Sequence, residues 1–262
     1  MRRGFMPRRA EPLTDADGPS AAPTRRRRGG NAPEEAIRPV RRGFWRRLRW
    51  LALRLLLGVV LIVGSCAFVN PPTTWTILTG QRDYPGIDRE WTPIEDIAPS
   101  MVRSVVAAED ANFCRHWGFD MTEIRKVIDR GSTRGASTIS QQVAKNVFLW
   151  QGRSWPRKAM EALLTPVVEA TWSKRRIVEV YLNVAEFGPG VFGVHAAAAQ
   201  YFGTTPDKLT AKQSARLAMV LPSPKTRDAA RPTPDQRRRS AAIVDGAATI
   251  AVDGRDDCLG LE

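Results

Sequence analysis

Residues 106–120 read VAAEDANFCRHWGFD, a short apolar run that ends in two adjacent acids, Glu109 and Asp110. Aromatic side chains follow at once, at Phe113, Trp117 and Phe119. A carboxylate beside apolar rings is held there at a cost in free energy. The stretch is therefore either a helix end with solvated acids or the place of a catalytic acid, and the surrounding sequence has to decide between them.

The spacing of apolar residues around this stretch is helical. Apolar residues share one face in residues 101–106, and residues 137–147 and 177–184 repeat the pattern. Pro156 suits the first turn of a further helix, which we expect to run to about Trp172. Strand signals are few and no internal repeat is present. The sequence therefore predicts a mainly α fold.

The positive charge is concentrated at the N-terminus. The chain has 262 residues and a formal net charge of +13. Residues 1–50 contain fourteen Arg and five acids, which gives +9 and leaves +4 for the remainder. We predict that residues 1–49 form a disordered, Arg-rich tail. Such a tail is able to bind nucleic acid, but the apolar segment that follows argues for no nucleic-acid partner.

That apolar segment predicts a membrane anchor. Residues 50–69 are apolar except for Arg54 and have about the length that crosses a bilayer, roughly 20 residues. Three arginines directly precede the segment, so the positive-inside rule places the N-terminus in the cytoplasm and the rest outside. We therefore predict a single-pass transmembrane helix at residues 50–70. A cleaved signal peptide and a buried core helix are the alternatives.

The three cysteines indicate no specific structure. Cys66 lies in the predicted anchor, whereas Cys114 and Cys258 fall in the outer, oxidising compartment and are able to pair there. Their spacing gives no reason to expect a bridge, so free thiols are the default expectation. No cysteine–histidine cluster resembles a zinc site. The two histidines, His116 and His195, are expected to be structural hydrogen-bonding residues.

Two polar patterns lie on the predicted helices. Ser137, Gln141 and Lys145 are spaced four residues apart, which puts them on one face beside a second polar stripe that contains Gln142. An ordinary solvated face is one interpretation, and a site for a polar, anionic ligand is the other. The second pattern is a group of charged residues: Arg153, Arg157, Lys158 and Glu161. It is either a surface salt bridge or a cationic clamp for phosphate.

A third pattern occupies the helix predicted at residues 177–184. Glu179, Asn183 and Glu186 fall on one face, and a turn rich in glycine and proline follows. A helix C-terminus with a glycine stop is the simpler interpretation of this segment. We expect Glu179 and Asn183 to be architectural.

Together these stretches resemble the peptidoglycan glycosyltransferases, glycosyltransferase family 51. The resemblance rests on four ordered motifs: EDANFCRHWGFD at 109–120, RGASTISQQVAKN at 134–146, RKAME at 157–161, and IVEVYLNVAEFGPGVFGVHAAAAQYFG at 177–203. It implies a lysozyme-like helical domain with a small membrane-proximal jaw lobe, which we place at residues 71–230. Residues 231–262 are left as a poorly defined C-terminal extension that we expect to fray.

The resemblance also implies an activity. The family polymerises glycan strands from lipid II, a disaccharide-pentapeptide on undecaprenyl pyrophosphate, and forms β-1,4 links with inversion at the donor. By this resemblance Glu109 is the general base for the acceptor 4-hydroxyl, and Glu161 is a second catalytic carboxylate near the donor pyrophosphate. Lys145 and Arg153 match pyrophosphate-binding cations. The predicted substrate-binding set is completed by Ser137, Gln142, Asp110 and Arg157, with Asp110 orienting the base or capping the turn.

Elementary chemistry favours the same activity. A sugar hydroxyl is a poor nucleophile until a positioned base takes its proton, and a raised pKa suits a carboxylate to that task. Pyrophosphate leaves as an anion and is stabilised by nearby cations, whereas lysozyme-type cleavage needs an acid on the leaving oxygen. No tightly bound cofactor is expected. Beside the pyrophosphate the resemblance allows a divalent cation, Mg²⁺ or Mn²⁺, and no metal ligands are assigned.

The resemblance gives the anchor a purpose, because the lipid tail of the substrate stays in the bilayer. Four apolar residues between the second and third motifs are candidates for lipid contact or, equally, for a buried cluster: Phe148, Leu149, Trp150 and Trp155. Other cell-wall synthesis proteins are the expected protein partners. The chain lacks a serine–x–x–lysine motif, so no transpeptidase is expected. A lysozyme-type hydrolase and an inactive membrane scaffold are the rival hypotheses.

The sequence departs from the family pattern at a few positions. Cys114 stands where proline is common, and Pro166 interrupts a helix that is usually continuous. Gln213 and Ser214 replace the usual Glu-Ala. None of these positions belongs to the predicted chemistry.

Overall fold

The computed structural model describes residues 40–84, 86, 90–131 and 135–261. The chain divides into two units, Met1–Arg47 and Leu48–Glu262. Of the predicted tail, residues 1–39 lie outside the described residues. The helices and strands are, in chain order, α1 (Val40–Ser65), α2 (Trp75–Asp83), α3 (Pro99–Glu109), α4 (Met121–Asp129), α5 (Ile139–Phe148), α6 (Trp155–Thr171), α7 (Lys174–Val184), β1 (Glu186–Gly188), β2 (Val191–Phe192), α8 (Val194–Phe202), α9 (Ala211–Val220) and α10 (Pro234–Val252). The expected mainly α fold is confirmed.

Helix α1 is long and apolar enough to cross a membrane over Gly43–Ser65, and most of its side chains are exposed. It begins earlier than the predicted span of 50–70, because the arginines before Trp50 are good helix formers and continue the helix. It ends earlier as well, in a turn at Cys66 and Ala67. The C-terminal end is tied down, since Trp172 Nε1 donates to the carbonyl of Val63 at 2.8 Å.

The core is built around α7, whose residues from Ile177 to Val184 are nearly all buried. Helix α5 packs against α6 and α7, while α3, α9 and α10 pack against one another. The largest buried side chains come from most of these elements: Tyr181, Phe113, Phe187, Met101, Ile139 and Leu217. Glu109 therefore lies at the C-terminal end of a helix that is firmly packed against its neighbours.

The expectation that the chain frays after Arg231 is wrong. Residues from Pro234 form the 19-residue helix α10, which begins with a capping box between Thr233 and Gln236. Ile243 and Ile250 are buried against α3 and α9. Alanines also lie on the exposed face, at Ala241, Ala242 and Ala248, so the apolar period of this helix is weak in the sequence. This segment is a structural part of the domain rather than an extension.

The predicted glycine-rich turn forms a short β-hairpin. Strand β1 pairs with β2 in antiparallel register, and the helix before it ends at Val184. Glu186 therefore lies in β1 and not on the α7 face that was predicted for it. Asn183 is used structurally, as expected: its amide exchanges hydrogen bonds of 2.8 Å with the backbone of Thr92.

The default expectation of free thiols is wrong for two of the cysteines. Cys114 and Cys258 form a disulfide across 144 residues, and Cys66 is the free cysteine among the described residues. The bridge joins the loop after Glu109 to the C-terminal end of the chain. In addition, Arg103 Nε of α3 donates to Asp256 Oδ2 at 2.6 Å, so the C-terminal segment is held against α3 as well as against the loop.

We expect Cys258→Ser to lower the free energy of unfolding by about 2–5 kcal/mol, because the lost bridge closes a long loop in the unfolded chain. Chemical denaturation in detergent micelles, with and without reductant, measures the effect. Cys66→Ser is the control. It retains the disulfide, so reductant should lower its stability as it does in the wild type. A wild-type chain whose stability is unaffected by full reduction would contradict this expectation.

Candidate active site

The site begins where α3 ends. Glu109 is the last residue of α3, and Asp110 is its C-cap. Asp110 is buried, and both of its oxygens have protein partners: His116 Nε2 lies 2.8 Å from Oδ1, and the amide of Ile139 donates to Oδ2 at 3.0 Å. Asp110 therefore ties the loop to the start of α5, as the predicted supporting residue would.

The loop is shaped by Gly118, which has a φ of +84°. A Cβ atom there would lie 2.7 Å from Thr165 Cγ2, so a side chain has neither the conformation nor the space. The carbonyl of Gly118 accepts a 2.7 Å bond from Thr138 Oγ1. Thr138 is also the N-cap of α5 and forms a capping box with Gln141. The loop and the first turn of α5 are thus held as one piece.

The capping box corrects the polar face that was predicted for this helix. Ser137 precedes the N-cap and lies outside α5, so it does not belong to the helical face that Gln141 and Lys145 share, and Gln141 also closes the capping box. The spacing of Ser137 from Gln141 fits a shared helical face, but serine and threonine are also common at the residue before a helix. Here Thr138 is that N-cap residue, so the helix begins after Ser137. Ser137 still reaches the site, because Lys158 Nζ donates to its Oγ at 3.4 Å.

Glu109 is held by a side chain of α5. Gln142 Nε2 donates to Glu109 Oε2 at 2.8 Å, and Tyr181 OH donates to Gln142 Oε1 at 3.2 Å. Burial raises the pKa of Glu109, and this effect outweighs the hydrogen bond from Gln142 and three cationic charges, from Arg239, Arg227 and Lys145, that lower it. The result is a desolvated carboxylate with a firm hydrogen bond, which is the state a general base requires.

The three rings that follow Glu109 are separated by the fold. Phe113 is fully buried and packs edge-to-face with His116, at 6.2 Å between ring centroids. Trp117 is 58% exposed, and Phe119 is partly buried. Trp117 therefore contributes little to drying the site, and Phe113 belongs to the core.

A second charged group lies on the first two turns of α6. Glu161 is 3% exposed; Arg157 Nη1 bonds its Oε2 at 2.7 Å, and Lys158 Nζ bonds its Oε1. Arg157 is also buried, so its ion pair with Glu161 is internal. The interpretation of these residues as a surface salt bridge is wrong. With both carboxylate oxygens in ion pairs, these residues do not fit a divalent cation at Glu161, and we assign none.

Lys145 links the two charged groups. Burial lowers the pKa of its ammonium, and the opposing charge of Glu161 raises it. Gln142 and Lys145 line a cavity of about 410 Å³, together with Glu186, Ser223 and Lys225. A second cavity, of about 280 Å³, is lined by Glu109 and Ser137. Glu109 and Lys145 thus face open space that is large enough for polar groups of a substrate.

Arg153 differs from the other predicted cations. It lies in the loop between α5 and α6, with its side chain exposed. The neighbouring apolar residues divide into two pairs: Phe148 and Leu149 pack into the protein, whereas Trp150 and Trp155 are 39% and 88% exposed. The predicted apolar group is therefore half core and half surface.

Three residues near Glu109 were missed by sequence reasoning. The helical spacing of apolar residues in 177–184 assigns Tyr181 to the core, yet its hydroxyl reaches Gln142. Arg227 and Arg239 come from the loop after α9 and from α10, which the sequence analysis left outside the site. The capping signal at Thr233 could have revealed α10. Nothing in the local sequence indicates that Arg239 of this helix approaches Glu109.

The chain is similar in sequence to known proteins. Residues 79–248 match the family described as Transglycosylase, and the match ends within α10. A biosynthetic peptidoglycan transglycosylase from Jannaschia sp. is 54% identical over 214 residues, which cover 80% of this chain and 90% of the relative. Proteins of the same name from Caulobacter vibrioides and Xanthomonas campestris are 42% and 48% identical, covering 84% and 80% of this chain and 98% and 91% of their own lengths. A family match over most of the chain, with these identities across nearly the full length of the relatives, establishes that the chain belongs to the transglycosylase family.

Proposed function

We propose that this protein is a peptidoglycan glycan-strand polymerase. It transfers a growing lipid-linked chain to the 4-hydroxyl of lipid II, forms a β-1,4 link and releases undecaprenyl pyrophosphate. The observation that carries the proposal is the half-buried carboxylate of Glu109, which Gln142 holds by a hydrogen bond, together with the partly desolvated ammonium of Lys145, three residues after Gln142 on α5. A base and a cation side by side suit a reaction that removes a proton at one end and releases an anion at the other.

Glu109 takes the acceptor proton in this proposal. Its raised pKa makes it a better proton acceptor than a solvated glutamate, and the hydrogen bond from Gln142 leaves the second carboxylate oxygen to face the hydroxyl. As the proton leaves, the acceptor oxygen attacks the anomeric carbon and the bond to pyrophosphate breaks.

The leaving pyrophosphate is stabilised by the cations of α5 and α6. Lys145 carries a charge whose solvation is already reduced, so its attraction for a developing anion is stronger than in water. Glu161 holds Arg157 and Lys158 in place rather than acting on the substrate itself. Arg153, exposed in its loop, is assigned to the outer part of the same anion site.

A membrane location supports the proposal, because the substrate is lipid-linked. We place α1 as a single-pass anchor in the bacterial cytoplasmic membrane, with the N-terminus in the cytoplasm and the catalytic domain on the outer side. Trp150 and Trp155 are exposed and suited to the lipid interface. The disulfide between Cys114 and Cys258 favours an oxidising compartment. Thiol trapping in untreated cells tests this placement, and free thiols at both positions would contradict it.

The direct test is incubation of the purified full chain with lipid II in detergent, followed by sizing of the product. We expect long glycan strands. Degradation of finished peptidoglycan without synthesis would favour a lysozyme-type hydrolase instead, and the absence of either activity would favour an inactive scaffold for other cell-wall synthesis proteins.

The cation site has its own test in Lys145→Ala. We expect kcat/KM to fall about ten- to hundredfold, the equivalent of the ~1.5–3 kcal/mol contributed by a hydrogen bond to a charged group. Lys212→Ala, which removes an exposed ammonium on α9, is the matched control and should behave as wild type. Equal kinetics for the two variants in the polymerisation assay would refute the assignment of Lys145.

A further inference from the structure

Tyr181 is a buried polar residue that the mechanism above does not use. It lies in the middle of α7 and is 1% exposed, among the largest fully buried side chains of the protein. Its hydroxyl donates to Gln142 Oε1 at 3.2 Å, and the same amide donates through Nε2 to Glu109 Oε2 at 2.8 Å. One amide thus connects a buried phenol to the proposed base.

The two ends of an amide are chemically different but nearly equal in shape. Gln142 is able to present either its NH₂ group or its oxygen to Glu109 by rotation of the terminal torsion. The NH₂ group stabilises an ionised carboxylate, whereas the oxygen would repel it. Something must therefore select the orientation in which the NH₂ group faces Glu109.

The hydroxyl of Tyr181 supplies that selection. Burial, and then the nearby charge of Glu109, raise the pKa of Tyr181 well above its ordinary value, so the phenol stays protonated and keeps a proton to donate. In the opposite orientation Oε1 would lose this donated hydrogen bond and face the ionised carboxylate of Glu109, which has no proton to donate. A buried acceptor without a partner is costly, which disfavours the opposite orientation.

We infer that Tyr181 is a positioning residue for catalysis: its hydroxyl sets which end of the Gln142 amide faces Glu109 and thereby keeps the base ionised and correctly oriented. The inference rests on the proposed role of Glu109 as the general base. Tyr181 acts through Gln142 and is not assigned a contact with substrate.

The other charged groups that affect Glu109 are independent of this connection. Lys145 belongs to α5, Arg227 to the loop after α9, and Arg239 to α10. All three favour the ionised carboxylate, and none is altered by removal of one phenolic oxygen. A change in the pH dependence after such a removal therefore reports on the orientation of Gln142.

The test is Tyr181→Phe in the full chain, which keeps the ring and so the packing of the core. We measure kcat and KM for lipid II polymerisation across pH. Loss of the bond from Gln142 raises the pKa of Glu109 further, so the acidic limb of the profile should move to higher pH. On that limb kcat should fall about tenfold, with little change in KM, and the deficit should shrink toward alkaline pH.

Two further variants separate positioning from simple structural damage. Tyr201→Phe removes a phenol that donates to the carbonyl of Phe187 at 3.2 Å, away from Gln142, and should keep the wild-type limb. Gln142→Leu removes both ends of the amide and should shift the limb in the same direction as Tyr181→Phe. Adding Tyr181→Phe to Gln142→Leu should then cause no further shift.

Four results would overturn the inference: a wild-type profile in Tyr181→Phe, a uniform loss across pH in that variant, an additive shift in the double variant, or an unchanged acidic limb in Gln142→Leu. The last of these decides the matter even where Tyr181→Phe folds poorly. Failure of the proposed function looks different, because Glu109→Gln would then retain activity. An inactive Glu109→Gln beside a wild-type profile for Tyr181→Phe refutes only the positioning role.

Discussion

Glu109→Gln is expected to lower kcat for polymerisation of lipid II by about a hundred- to ten-thousandfold, the range that a positioned general base contributes. Glutamine has nearly the shape of glutamate and still offers an oxygen to Gln142 Nε2, so the local packing should survive. It has no basic oxygen for the acceptor proton. Gel or chromatographic sizing of the glycan product, with initial rates from the same reactions, measures the loss.

The same variant should be more stable than wild type at neutral pH. Burial raises the pKa of Glu109 in the folded chain above that of an unfolded glutamate, so folding disfavours the ionised form. The carboxylate therefore lowers stability above the unfolded pKa and has no such effect well below it, where both states are protonated. We expect the gain from Glu109→Gln to be present at pH 7 and absent at about pH 3.

A variant of the adjacent residue is the matched control for this pair of effects. Asp110→Asn should lose stability instead, since its carboxylate bonds both His116 and the amide of Ile139. Polymerisation that survives Glu109→Gln would remove Glu109 from the role of base. A Glu109→Gln chain that is both inactive and unstable would mean that structural damage, rather than a missing base, explains the lost activity.

The parts of the site that the sequence predicted are those encoded over short distances. Helix α3, which ends at Glu109, follows from apolar spacing, as do α5 and α7, whereas α6 follows from Pro156 in its first turn. The motifs then identify Glu109, Glu161 and Lys145, and the fold brings these groups close enough for their charges to act on one another. Local pattern and motif order were sufficient for this much.

The parts that were missed depend on distant contacts. The disulfide joins residues 144 positions apart, and its formation depends on how the C-terminal segment returns to the loop at Cys114. Helix α10 buries Ile243 and Ile250, but alanines also occupy its exposed face, so its hydrophobic period is too weak to be recognised before α3 and α9 are in place. The same limitation applies to the hydroxyl of Tyr181, which the periodicity of α7 assigns to the core. The disulfide, helix α10 and the role of the Tyr181 hydroxyl can each be recognised only in the packed structure.

Glu161→Gln is expected to lower the free energy of unfolding by about 3–5 kcal/mol, because it leaves a buried cation without its partner. Arg157 is 8% exposed and loses the charged acceptor that its Nη1 bonds at 2.7 Å, and its Nε has no hydrogen-bond partner among the described residues. Lys158 is better placed, since its side chain is 40% exposed and is able to turn into water. Denaturant titration of the full chain in micelles measures the change.

The matched control is an acid in the same i, i+3 relation to a lysine but at the surface. Glu123→Gln on α4 removes the partner of Lys126, in a pair whose side chains are 38% and 50% exposed. Such exposed pairs contribute about 0.2–1 kcal/mol at most, so its loss of stability should be several-fold smaller. Equal losses for Glu161→Gln and Glu123→Gln would mean that burial of the Glu161 pair carries no energetic weight.

Activity and stability should separate when both members of the buried pair are replaced. In Arg157→Met/Glu161→Leu no charge of the pair remains buried, and well-packed apolar replacements of a buried ion pair are often neutral or stabilising. We therefore expect the double variant to regain most of the stability that Glu161→Gln loses. Polymerisation should stay about a hundredfold below wild type, because the cations that meet the leaving pyrophosphate are then missing or misplaced. A double variant that recovered activity along with stability would assign Arg157 and Glu161 to folding alone, and would leave Lys145 and Arg153 as the anion site.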